Sequence, residues 1–208
     1  MPAGVRYAGR FAVLGPVLFT LAWLALGLLH QGYSTVGGTI SVLAAYGAPF
    51  AVVMIAAFAV QATAMVTIAV LVGTRLPRSR PAALVLGLNG VGTLLAGLVR
   101  TVCGAQDRSW CADTGPHPTA VSAHVAIATV TLLLLAVAPL VVAGGAGRQD
   151  RRLRTVSVIV FALGTPLLVW FALDTGAGWA EKLFITLLIG WAGWLGYRAA
   201  SQPVAYRS

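Results

Sequence analysis

Apolar residues run through this chain in six long blocks, separated by short polar stretches. The blocks cover residues 11–29, 49–73, 82–99, 118–143, 155–173 and 178–197. At about 1.5 Å of rise per helical residue, each is long enough to cross a hydrocarbon core of about 30 Å. Lipid offers no water to backbone amides, so each block predicts an α-helix whose amides are bonded within their own segment. A membrane β-barrel would show alternating segments of about 10 residues, and this pattern has none. The expectation is an all-α, polytopic transmembrane bundle of six helices, forming one integral membrane domain over residues 1–208 with no soluble module.

Composition agrees with that pattern. Charged residues make up 9% of the chain, against about 25% in soluble domains. The first block follows Arg6 and Arg10 without the short apolar core and small-residue cleavage site of a signal peptide, so it reads as an uncleaved first helix. The net charge of +9 would suit nucleic acid if it lay on one face. Instead the basic residues fall in alternate connections, which speaks for membrane orientation and against a nucleic-acid partner. With the N-terminus inside, eleven of the fourteen Lys/Arg residues are cytoplasmic: 6, 10, 75, 78, 80, 148, 151, 152, 154, 198 and 207. Arg100, Arg108 and Lys182 fall outside, with four of the five acids, Asp107, Asp113, Asp174 and Glu181. The bias predicts that both the N- and C-termini are cytoplasmic.

Residues 100–124 form the longest polar interruption and hold both cysteines. Seven residues separate Cys103 from Cys111, in a connection that the charge bias assigns to the oxidising side, where disulfides persist. A structural disulfide is the expectation, stabilising by about 2–3 kcal/mol in the chain-entropy model. Zinc would need more ligands than His117 supplies, and the spacing does not fit a redox CxxC. The stapled stretch is expected to act as a lid on the outer end of the bundle. The other outer connection, residues 30–48, is broken by Gly37 and Gly38, and Thr39 is placed to cap a short interfacial helix. Pro49 suits a first helical position.

Candidate chemistry is sparse. Tyr33, Trp110, Trp170 and Trp179 read as an outer aromatic belt, and Tyr7, Trp191, Trp194 and Tyr197 as an inner one. Gly190, Gly193 and Gly196, and Ala83 with Gly87, form small-residue stripes that suit close helix packing. Gln61, Thr63, Thr67 and Asn89 are the mid-membrane polar residues, for which interhelical hydrogen bonds are expected. His30, Arg100, Asp174 and Glu181 close helix ends, and His124 lies roughly 9 Å below one. Ionisable groups at that depth face a cavity or a partner, so these five, with Tyr33, are expected to converge beneath the lid as a ligand-binding cluster or a structural network. His30 and His124 differ in depth, which does not suit a haem. No nucleotide, hydrolase or metalloprotease motif occurs, and neither cofactor nor metal is expected.

The order of these features resembles a known family. His30-Gln31-Gly32-Tyr33-Ser34, Thr39-Ile40-Ser41 and Tyr46-Gly47-Ala48-Pro49 are similar to the first outer loop of the bacterial membrane family called domain of unknown function 998. Gly97-Leu98-Val99-Arg100, the cysteine pair, and Ser122 with His124 resemble its second outer loop, and Glu181-Lys182 with Trp191 its last helix. The family often carries proline in place of Gln31 and an acid in place of Val42. The resemblance implies six helices, an outward-facing polar cluster and a place in the bacterial inner membrane, but no settled activity. Three roles are open: binding a lipid or small hydrophobic ligand in an outward-facing polar cavity; catalysis on an isoprenoid-like substrate with Asp174 or Glu181 as general acid and His124 as partner; or a small transporter or accessory subunit.

Overall fold

The computed structural model describes residues 2–104, 107, 109–112, 117–174 and 176–202. Arg108, Asp113 and Arg207, counted in the charge bias, lie outside them. Six helices long and apolar enough to span a membrane are present: α1 (Ala3–Leu29), α2 (Ala51–Arg75), α3 (Arg80–Leu98), α4 (Pro118–Gly144), α5 (Arg151–Leu173) and α6 (Gly178–Ser201). Successive helices are antiparallel. One end of the bundle carries the Cys103–Cys111 disulfide and the other the arginine-rich connections; below these are the disulfide end and the arginine end.

Helices α2 and α6 are the most buried, and α1, α3, α4 and α5 pack around them. Small residues set the close approaches. A Cβ at Gly15 would lie 2.3 Å from the Ala64 methyl, at Gly97 2.6 Å from Phe58, and at Gly193 2.9 Å from the Ala12 carbonyl oxygen. Backbones meet there because no side chain intervenes. Gly193 and Gly196 of the expected stripe face α1 and α2, whereas Gly190 faces open space. Exposed leucines and valines, such as Leu14, Leu21, Leu84, Leu133 and Leu163, form the outer surface, as expected where the solvent is hydrocarbon.

Four sequence expectations are corrected. Helix α1 begins at Ala3 and not near residue 11, because Arg6 and Arg10 are exposed while Gly9 packs on Ala200; long basic side chains can leave a helix that is already packed. Helix α5 begins at Arg151, where the Asp150 carboxylate accepts the Leu153 amide at 3.0 Å. Burial pushes that carboxyl up, but the Leu153 amide and the paired Arg198 guanidinium outweigh it and hold it below its ordinary range. Helix α2 begins after Pro49, with Phe50 in the left-handed region at φ 56°. Trp191 is not in an aromatic belt: it is buried, and its indole donates to Ser157 Oγ at 3.3 Å.

Candidate functional site

The two connections at the disulfide end are joined to each other. Tyr46 N–H donates to the Thr101 carbonyl at 2.9 Å and Ala112 N–H to the Gly47 carbonyl at 3.1 Å. Arg100 donates through Nε to the Ala44 carbonyl at 2.8 Å and through Nη2 to the Ala45 carbonyl at 2.6 Å. It thereby caps the short 3-10 turn Ser41–Ala44, with its guanidinium over the Tyr46 ring. His30 Nε2 donates to the Pro49 carbonyl at 3.0 Å, and its ring stacks on Trp110, centroids 5.1 Å apart. Trp110 thus ties the disulfide loop to the end of α1 and is not a belt residue. Asp107, buried inside that loop, accepts the Gly104 amide at 3.0 Å.

The first connection is anchored on the start of α6. Trp179 N–H donates to the Val36 carbonyl at 2.7 Å. Lys182 Nζ donates to the Thr35 carbonyl at 3.0 Å and to the Gly38 carbonyl. Glu181 Oε2 accepts the Ile40 amide at 2.9 Å. Tyr33 donates its hydroxyl to the Gly38 and Thr39 carbonyls at 3.2 and 3.1 Å. Burial, reinforced by the charges of Glu181 and Asp107, pushes the Tyr33 phenol well above its ordinary value. A Cβ on Gly178 would meet the Gly38 carbonyl oxygen at 2.3 Å, so only glycine allows this docking. The turn 41–44 is not an interfacial helix as expected. Ile40 is 1% exposed and Leu43 is fully buried, so the segment is a plug inserted among the helix ends.

Beneath this plug lies a cavity of about 80 Å³. Ile40 and Ser41 cover its disulfide end; its polar lining comes from Glu181 and His124 near that cover and from Gln61, Asn89, Thr93 and Thr131 deeper down. Phe19, Phe58, Leu135 and Ile189 are among its apolar walls. From His124 to Leu135 the α4 wall is about 16 Å long. Among the described residues, no side chain of residues 100–117 lines it. The expected convergence of His30, Arg100, His124, Asp174 and Glu181 is therefore reduced to His124 and Glu181. His30, Tyr33 and Arg100 hold loop backbone instead, because carbonyls freed by the tight turns of residues 33–49 need donors. Asp174 is an exposed helix-end residue whose Oδ1 accepts the Gly176 amide at 2.9 Å.

Two lining groups set the chemistry. His124 Nδ1 donates to the Val99 carbonyl at 2.6 Å, which fixes the ring and leaves Nε2 as its remaining polar atom. Gln61 is 2% exposed, and among the described residues neither its Oε1 nor its Nε2 has a partner. The interhelical bond expected for the mid-membrane polar residues exists for Asn89, which donates to the Thr131 carbonyl at 2.9 Å. Thr63 and Thr67 bond back to their own helix. Ser41 entered the sequence reading only within the family resemblance, and Thr93 and Thr131 not at all, because isolated hydroxyls carry no signal.

No curated protein and no solved structure matches the chain. A family model matches residues 13–198, spanning all six helices and both anchored connections. The chain therefore belongs to the family described as protein of unknown function (DUF998), and is one of its multi-pass membrane members.

Proposed function

We propose that this protein binds a small hydrophobic molecule, or one end of a lipid, that carries a hydroxyl or carbonyl group. The observation that carries this reading is the Gln61 carboxamide, buried with both polar atoms unpartnered at the wall of an interior cavity. Leaving such a group unsatisfied costs about 1–3 kcal/mol; a ligand hydroxyl can donate to Oε1 and accept from Nε2, whereas a ligand carbonyl can only accept from Nε2. The cavity has room for about three waters or for the polar end of a short chain. Its walls are mostly apolar, with a few polar groups near both ends, as in binding sites generally.

The way in is lateral. Helices α4 and α6 both line the cavity but scarcely touch each other. Helix α5 covers the seam between them, yet its buried residues, Leu153, Ser157, Val160 and Gly164, stop short of residues 165–173, its last turns toward the disulfide end. Toward the disulfide end it rests more loosely on the seam, where Ala128, Leu132 and Ile185 are partly exposed. A chain from the bilayer enters there without disturbing the plug.

The test is the complement of small lipids extracted from the full chain after purification in mild detergent, measured by mass spectrometry for the native protein and for Gln61→Leu. Binding predicts an enriched hydroxyl- or carbonyl-bearing species that falls at least about fivefold in the variant, the equivalent of about 1 kcal/mol. An unchanged lipid complement together with a more stable Gln61→Leu would mean that the cavity holds only water, and would sink the reading. A second reading rests on Glu181 and His124 lining the same cavity: general acid catalysis on the bound molecule, with Glu181 giving the proton and His124 as its partner. Under that reading Glu181→Gln, which keeps an acceptor for the Ile40 amide, retains ligand and loses turnover.

A further inference from the structure

A second concavity lies on the outside of the bundle, at the arginine end, between α5 and α6. It has a volume of about 460 Å³ and is formed by Arg152 and Val160 of α5 and Leu187, Gly190, Trp191 and Trp194 of α6, among others. We infer that this groove holds an acyl chain of an anionic phospholipid whose phosphate pairs with Arg152. The inference is independent of the cavity beneath the plug.

The groove exists because of Gly190. Its neighbours in the glycine stripe are filled by other helices, but a Cβ at Gly190 would meet nothing within 4 Å. The α6 surface is therefore dented beside α5. Along α5, Arg152 to Val160 spans about 12 Å, close to the roughly 15 Å of one leaflet of the hydrocarbon core. Apart from the Thr186 hydroxyl the walls are apolar over this length, and the groove ends at Trp194 and Arg152. An indole beside a guanidinium is a pairing suited to the level of the headgroups.

Charge selects the occupant. The ion pair found among the described residues joins Arg198 to Asp150, which uses up the acid nearest the groove. Arg152 is exposed and has no carboxylate partner among the described residues, and Arg151 and Arg154 are exposed beside it. Basic pockets between membrane helices match anionic headgroups, each cation contributing about 1 kcal/mol. A helix from a second copy would bring apolar surface onto the Arg152 guanidinium, whereas a phosphate matches it.

The full chain is reconstituted in phosphatidylcholine vesicles containing some phosphatidylglycerol, and brominated acyl chains are placed on one lipid or the other. Tryptophan quenching is then read against the fraction of brominated lipid. Brominated phosphatidylglycerol is expected to quench at about fivefold lower fraction than brominated phosphatidylcholine. Trp194→Phe lowers that preferential quenching and leaves the part that comes from Trp191. Arg152→Gln abolishes the preference, while Arg80→Gln, an exposed arginine at the same end on α3, leaves it intact. Equal quenching by the two lipids overturns the inference. So does an equal effect of Arg80→Gln and Arg152→Gln, which would indicate only diffuse attraction to the arginine end. A dimer that Gly190→Leu dissolves, with no lipid preference, would assign the groove to a second copy and overturn it as well.

Discussion

Residues 100–117 are crosslinked by a disulfide, yet among the described residues they give the interior cavity none of its lining. Residues 30–48 carry no crosslink, and they close it. The first region is held to itself, by Cys103–Cys111 and by Asp107 bonding the Gly104 amide, and to the other connection through Thr101 and Ala112. Among the described residues it hydrogen-bonds to no transmembrane helix beyond the start of α4, into which it runs. The second is held to the bundle, by Lys182, Glu181 and the Trp179 amide of α6 and by Arg100 at its far end. A short covalent loop stiffens locally and leaves its position open. Position comes from polar contacts distributed across distant parts of the chain. The stapled loop therefore acts as a brace on the plug, through Trp110 on His30 and the Arg100 fork.

The largest expected effect lies in the region without the crosslink. Lys182→Met removes two charge-assisted bonds to loop carbonyls, at about 2 kcal/mol each, so the protein should lose about 4 kcal/mol of stability and the 30–48 connection should become cleavable by protease. The double variant Cys103→Ser/Cys111→Ser should cost less, about 2–3 kcal/mol, with connection 30–48 still protected. A reversed order of these two unfolding midpoints would break the comparison. The smallest effect is that of Tyr33→Phe, about 1 kcal/mol at neutral pH. It also sharpens the comparison through pH. The phenol is held protonated in the folded protein above its ordinary value of 10.0, so folding binds the proton more tightly than the unfolded chain does. That stability is fully present below about pH 10 and is lost as pH rises above it. Thermal midpoints measured from pH 8 to pH 11 should fall more steeply for the native chain than for Tyr33→Phe.

The helices were legible in the sequence because the bilayer imposes length and apolarity on each segment separately. Their polar ends were less so. Arg6, Arg10 and Arg151 look like loop residues by charge, but they sit on helical turns whose other faces are packed. The cavity was half legible. His124 announced itself by depth, and Glu181 by its place in the first turn of α6. Gln61 looked like any mid-membrane residue with a partner, and only the packing of α2 against its neighbours shows that it has none. Arg100, His30 and Tyr33 were recognised as belonging at this end, as part of a ligand-binding cluster or of a structural network with His124, Asp174 and Glu181. What they satisfy are backbone carbonyls, and a sequence does not show which carbonyls a turn leaves unpaired.

The anchoring of residues 33–40 is written almost entirely in main-chain atoms. Lys182 reads two carbonyls, Trp179 a third and Glu181 an amide, so the side chains of Thr35, Val36 and Ile40 take no part in those bonds. Substitution at Thr35 or Val36 leaves every tether in place, while Gly178, against which Gly38 lies flush, admits nothing larger. The plug is thus free to change its surface without changing its seat. The face it turns away from the bundle can diverge, while the roof it makes over the cavity stays the same.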